Sequence, residues 1–152
     1  MKLAEALIAR ADIQKRIGML RGRLAVVAKV QEGDVPAESP VDLMAELRHL
    51  TDEMELLVKR INRTNSVTLL SADTTLSDAL ATRDMLQLKQ AIYRQVSEAG
   101  RIEQNRYSRS EVRFVSTINI GDLQKMADGL AQQHRELDSQ VQCLNWNTEL
   151  IE

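Results

Sequence analysis

Apolar residues recur along most of this chain at alternating spacings of three and four, the period of a helix that packs along one stripe. The first such seam is Leu3, Ala6, Arg10, Ile13, Ile17, Leu20, Leu24 and Val27. It predicts a helix over about 2–31, with Arg10 laying its stem on the seam and its head in water. EGDVPAESP then turns the chain, and Ser39-Pro40-Val41-Asp42 opens a second helix over 40–64 with Ser39 as N-cap and Pro40 at its first position. Its seam is Leu43, Leu47, Leu50, Met54, Leu57 and Ile61. A third helix is expected over 77–105, capped by Ser77, with Met85, Leu88, Ile92, Ala99 and Ile102 on its seam and Gln95 as a polar interruption. A fourth is expected over 120–149, capped by Asn119 and Asp122. There Leu123, Leu130, Leu137 and Leu144 alternate with Ile120, Ala127, His134, Val141 and Thr148.

Two segments break the helical period. Around Ala72-Asp73, the runs Val67–Leu70 and Thr74–Leu76 read as a small hairpin, although the turn has no glycine. Val112, Phe114, Ser116 and Ile118 alternate in a β-branched run, so Glu111–Ile118 reads as a strand. A lone strand leaves its backbone unpaired, and the segments 66–76 and 111–118 are expected to pair. The fold class is therefore mainly α: a single helical domain over 1–152, of four-helix-bundle type. Long antiparallel, coiled-coil-like helices carry a small β-hairpin or strand element.

Composition supports the helical reading. Only Trp146, Tyr93, Tyr107 and Phe114 are aromatic in 152 residues, fewer rings than enzyme cores and pockets usually hold. Charge is uneven although the net is −2. Residues 1–31 hold seven Lys and Arg against two acids, and residues 32–58 hold eight acids against Arg48 alone. That distribution predicts a basic first helix lying along an acidic second one. Cys143 is the only cysteine, which points to a reducing compartment rather than a disulfide framework. Glu5, Arg10 and Asp12 interrupt any signal-peptide core, and no apolar run reaches the length of a spanning helix. The expected location is cytoplasmic, without a membrane span.

The motifs that carry chemistry are sparse. No nucleophile elbow, phosphate-binding glycine loop or paired-carboxylate arrangement occurs, so no catalytic residue, cofactor or metal ligand is assigned and the protein reads as a non-enzyme. His134 on the leucine seam reads as a packed histidine, remote in sequence from His49. The leucine heptad downstream of Arg101, Arg106, Arg109 and Arg113 does not make a zipper DNA-binding helix. Val115 to Gly121 interrupt the continuous helix that such a motif needs.

Two basic patches remain, over 59–65 and 101–113. Both lie near helix C-termini, where cations oppose the dipole. If brought together, Arg60, Asn62, Arg63, Asn65, Arg106, Tyr107 and Arg109 would hold an anionic ligand or RNA. A separate stripe of small residues, Ala4, Ala11, Gly18 and Ala25, recurs every seven positions and would let another helix or subunit approach closely. Trp146 sits off the leucine seam and reads as an oligomer contact.

Several blocks carry a family resemblance. MKLAEALIARADIQKRI, KVQEG, INRTN, LSDALATRD and RYSRSEVRFVSTINIGDLQK resemble small bacterial proteins of unknown function that bear a septicolysin-like label. The chain departs from that family's form before Leu76, where ADTT replaces a glycine-containing turn. The label implies a pore-forming lysin, which calls for membrane-inserting strands of about ten alternating residues. Arg113 and the brevity of 112–118 oppose such a strand. The leading functional expectation is a self-associating structural or interaction protein that forms a homo-oligomer. Nucleic-acid or anion binding stands second, and a lytic activity third.

Overall fold

A computed structural model of the chain describes residues 1–102 and 113–152. It is mainly α, with helices α1 (Leu3–Val27), α2 (Pro40–Val67), α3 (Leu76–Ala99) and α4 (Ile120–Asn147). Strands β1 (Leu69–Ser71) and β2 (Thr74–Thr75) lie between α2 and α3. The chain divides into two compact units. One is Met1–Leu76 with Gln142–Glu152, and the other is Ser77–Val141.

In the first unit, α1 and α2 form an antiparallel hairpin along the seams read from the sequence. Ala6, Ile13, Leu20 and Val27 are buried at every seventh position of α1, and Leu43, Leu50, Leu57 and Thr64 at every seventh position of α2. Arg10, Ile17 and Leu24, and likewise Leu47 and Met54, are half-buried between them. Burial is therefore concentrated on one residue in seven, which is the pattern of a two-helix coil rather than of a globular core. α1 ends at Val27, four residues before its expected end, because Val27 is its last packed seam residue and 28–31 are exposed. Gly33, at φ 91, turns the chain back. α2 starts as expected: the Ser39 hydroxyl accepts a hydrogen bond from Asp42 N at 3.3 Å and Pro40 opens the helix. The basic-on-acidic charge pattern is partly realised across the hairpin, as Arg16 reaches Glu46 at 4.0 Å and Arg23 forms a bidentate pair with Glu38. The Arg23 guanidinium holds the Glu38 carboxyl below its ordinary range.

The small sheet is a two-stranded antiparallel hairpin, with Leu69 opposite Thr75 and Ser71 opposite Thr74. Among the described residues no non-glycine residue has a positive φ, so Ala72-Asp73 does not form the left-handed turn typical of two-residue hairpins. The register shifts between Leu69 and Ser71 instead. The expected pairing with 111–118 is corrected here, because residues 113–118 form no strand. β1 and β2 satisfy each other, and Phe114 and Val115 stand exposed without a ladder. Residues 111 and 112 lie outside the described residues; α3 ends at Ala99, short of its expected end, since residues 100–102 are not helical.

In the second unit, α3 and α4 also run antiparallel. Arg83 donates to Asp138 at 3.1 Å, and Arg94 approaches Asp128 to 4.0 Å. Asn119 caps α4, its side-chain oxygen accepting from Asp122 N at 3.1 Å. α3 begins at Leu76, which places Ser77 in its first turn rather than at its cap.

Candidate interaction surfaces

The two helices of the second unit meet along seams of unequal quality. On α4, Leu123, Leu130, Leu137 and His134 are half-buried and Ala127, Ala131 and Val141 buried, as the leucine heptad predicts. On α3 the inward seam is Ala79, Arg83, Leu86, Gln90, Tyr93, Ser97 and Gly100. That seam is not the one the sequence singles out. Met85, Leu88 and Ile92 are 50 %, 50 % and 45 % exposed, and the adjacent Val96 is 41 % exposed. Ala81, Gln95 and Ala99 lie on the same outer stripe and are also exposed. The two seams are offset by two residues, about 200° around the helix, so they occupy opposite faces. The more apolar face of α3 is the uncovered one, which corrects its expected role as the helix's packing seam inside the chain. It carries a shallow groove of about 320 Å³ lined by Ala81, Thr82, Met85, Leu86 and Lys89.

Among the described residues, the fully buried apolar side chains of this unit are Ala79, Ala127, Ala131 and Val141. None is larger than valine. The larger apolar side chains on the packed face of this unit, Leu86, Leu123, Leu130 and Leu137, are only half-buried. Near the end of the hairpin where the chain leaves α3 for α4, a cavity of about 340 Å³ lies between Ser97 and Ala127. The Ser97 hydroxyl is buried there without a hydrogen-bond partner. The four charged groups around the cavity face one another, with Arg101 at 3.3 Å from Glu98 and Arg94 at 4.0 Å from Asp128. That arrangement makes a neutralised rim rather than a charged binding pocket.

The first basic patch is engaged by the chain itself. The Arg60 guanidinium donates to the carbonyl of Ile151 at 3.1 Å, and Arg63 donates to the carbonyl of Glu152 at 3.3 Å. The fully buried Thr64 hydroxyl accepts from Ile151 N at 3.0 Å and donates to the carbonyl of Arg60 at 2.9 Å. A β-bridge between Lys2 and Glu149 completes this clasp: Leu3 N donates to Thr148 O, and Leu150 N to Met1 O, each at 2.9 Å. Lys2 pairs with the Glu149 carboxylate at 2.7 Å, and the Met1 amino group approaches it at 3.3 Å. Hydrogen bonds from Lys2 first, and then from the amino terminus, hold the Glu149 carboxyl below its ordinary value. Thr64 was legible as the next heptad position after Leu43, Leu50 and Leu57, where a threonine among leucines marks a polar partner.

Of the other residues expected to hold an anion, Asn62 is exposed and Asn65 half-buried on α2. Arg106, Tyr107 and Arg109 lie outside the described residues. In the small-residue stripe, Ala4 is buried and Ala11, Gly18 and Ala25 are exposed. A Cβ placed on Gly18 meets no atom within 4 Å. Trp146 is half-exposed, and Cys143 is exposed and free. Among the described residues no group of three or more His, Cys, Asp and Glu side chains could hold a metal ion. No described helix is long and apolar enough to cross a membrane.

These features define a mainly α protein of antiparallel helical hairpins with an uncovered apolar helix face. Residues 10–150 match the family described as "Family of unknown function (DUF6847)", and the chain belongs to that family. It is similar to a solved structure titled as that of a functionally unknown conserved protein from Corynebacterium diphtheriae. The identity is 48 %, the alignment covers 99 % of each chain, and the TM-score is 0.93. No curated protein matches the chain.

Proposed function

We propose that this is a non-enzymatic, self-associating helical protein whose contact surface is the outer face of α3. One observation carries the reading: the more apolar face of α3, Met85, Leu88 and Ile92 with Val96, is exposed while the inward seam of α3 contains Arg83, Gln90 and Ser97. Apolar stripes at helical spacing are uncommon on the free surface of a monomer and mark association surfaces. The half-exposed Trp146 and the open face at Ala11, Gly18 and Ala25 add surface of the same kind.

Light scattering across a size-exclusion peak tests it. The wild-type protein is expected to elute as an oligomer, and Ile92→Lys to weaken association on the order of 100-fold, the effect of placing a charge at the centre of an apolar contact. A wild-type monomer at all concentrations removes the reading. The same peak separates the alternatives. Excess absorbance near 260 nm that disappears at high salt would favour polyanion binding. Dye release from liposomes would favour the lytic activity that the septicolysin label implies.

A further inference from the structure

We propose that the occupant of the outer α3 face is the α3 of a second copy, parallel to the first and in register, forming a short two-stranded coil. This rests on the self-association reading and adds its geometry. On the outer stripe, Met85, Ile92 and Ala99 take the a positions of a heptad, and Ala81, Leu88 and Gln95 take the d positions. The central layers are Ile at a and Leu at d, the combination that favours two parallel strands.

The polar groups select the same alignment. In the parallel pair, Gln95 faces Gln95 of the second copy, and each amide can donate to and accept from the other. In the antiparallel pair that overlaps the same apolar residues, Ala81 meets Ala99, Leu88 meets Ile92 and Gln95 meets Met85. The amide is then set against an apolar side chain and loses hydration without a partner.

The flanking charges agree. Asp84 stands at g and Lys89 at the following e position, which face each other between parallel strands. The antiparallel alignment instead sets Lys89 against Lys89 and Asp84 against Glu98, like charge on like. Asp84 is exposed and touches only its neighbour Arg83 at 3.3 Å among the ion pairs of the described residues, and Lys89 is exposed. Lys89 can reach across to Asp84 of the second copy, whose carboxylate keeps its Arg83 neighbour and is otherwise open to solvent. The groove lined by Ala81, Thr82, Met85, Leu86 and Lys89 flanks this stripe on its e side, beside the position a parallel partner would take.

Single-cysteine variants in a Cys143→Ser background test the alignment. Ala81→Cys and Gln95→Cys are each expected to form a disulfide-linked dimer on mild oxidation, with the yield falling on dilution. A protein that is dimeric by light scattering when reduced, but does not cross-link at either position, overturns the parallel pairing and leaves self-association standing. Cross-linking only in a mixture of Ala81→Cys with Ala99→Cys shows the antiparallel pair and overturns the proposal in the same way. A reduced protein that is monomeric throughout overturns both the alignment and the self-association beneath it.

Discussion

Leu50 is fully buried midway along α2, in the heptad row of Leu43 and Leu57. A coil of this kind has few such side chains, so each carries a large share of the hairpin's stability. Leu50→Ala is expected to cost about 3 kcal/mol, the transfer loss plus a cavity that two helices cannot fully close. Urea unfolding at constant slope would measure it. Glu149 acts through charge instead. Its carboxyl is held below the ordinary 4.5 by Lys2 and the amino terminus. A lowered folded value means that its contribution is complete above 4.5 and fades as pH falls through the lowered folded value. Glu149→Gln is therefore expected to melt below wild type at pH 7, by a small margin because the pair is exposed. The two melting curves should converge in acid, once the pH has fallen below the lowered folded value. A gap that persists in acid would show that the carboxylate does not tie the clasp.

At the scale of elements, α3 separates what periodicity reveals from what it hides. The seams of α1, α2 and α4, the Ser39 and Asn119 caps and the hairpin around Ala72-Asp73 were legible, because each depends on neighbours three or four residues apart. The faces of α3 were not. A strong apolar stripe says that something covers it, without saying whether that cover lies within the chain. The inward seam escaped notice because Arg83 and Gln90 look like surface residues. Arg83 becomes an inner one through its hydrogen bond to Asp138, 55 positions away. The two faces should respond differently to the same truncation. Leu86→Ala, on the half-buried inner side, is expected to lower stability by about 2 kcal/mol in urea unfolding at any protein concentration. Leu88→Ala should leave the dilute protein's unfolding nearly unchanged and shift its association instead. The strand expected at 111–118 failed for a related reason: alternation marks a sequence able to pair, and β1 and β2 had already paired with each other.

For the whole molecule, the basic and acidic halves of the first hairpin could be read directly, since antiparallel neighbours bring opposite runs alongside each other. Arg16 with Glu46 and Arg23 with Glu38 are the result. The clasp could not be read. It joins residues 1–3 to 148–150 mainly through backbone atoms, which leave no mark on side-chain pattern, and Arg60 and Arg63 donate to the carbonyls of Ile151 and Glu152 beside it.

The clasp also sets an order of events during synthesis. The unit built from Met1–Leu76 receives its final pieces from Gln142–Glu152, and all of Ser77–Val141 is translated in between. On the ribosome, the hairpin of α1 and α2 can form early from local contacts. Met1, Lys2 and Thr64 must then wait with their polar groups in water until residues 148–151 emerge. The unit begun first is thus completed only after the whole of Ser77–Val141 has been made.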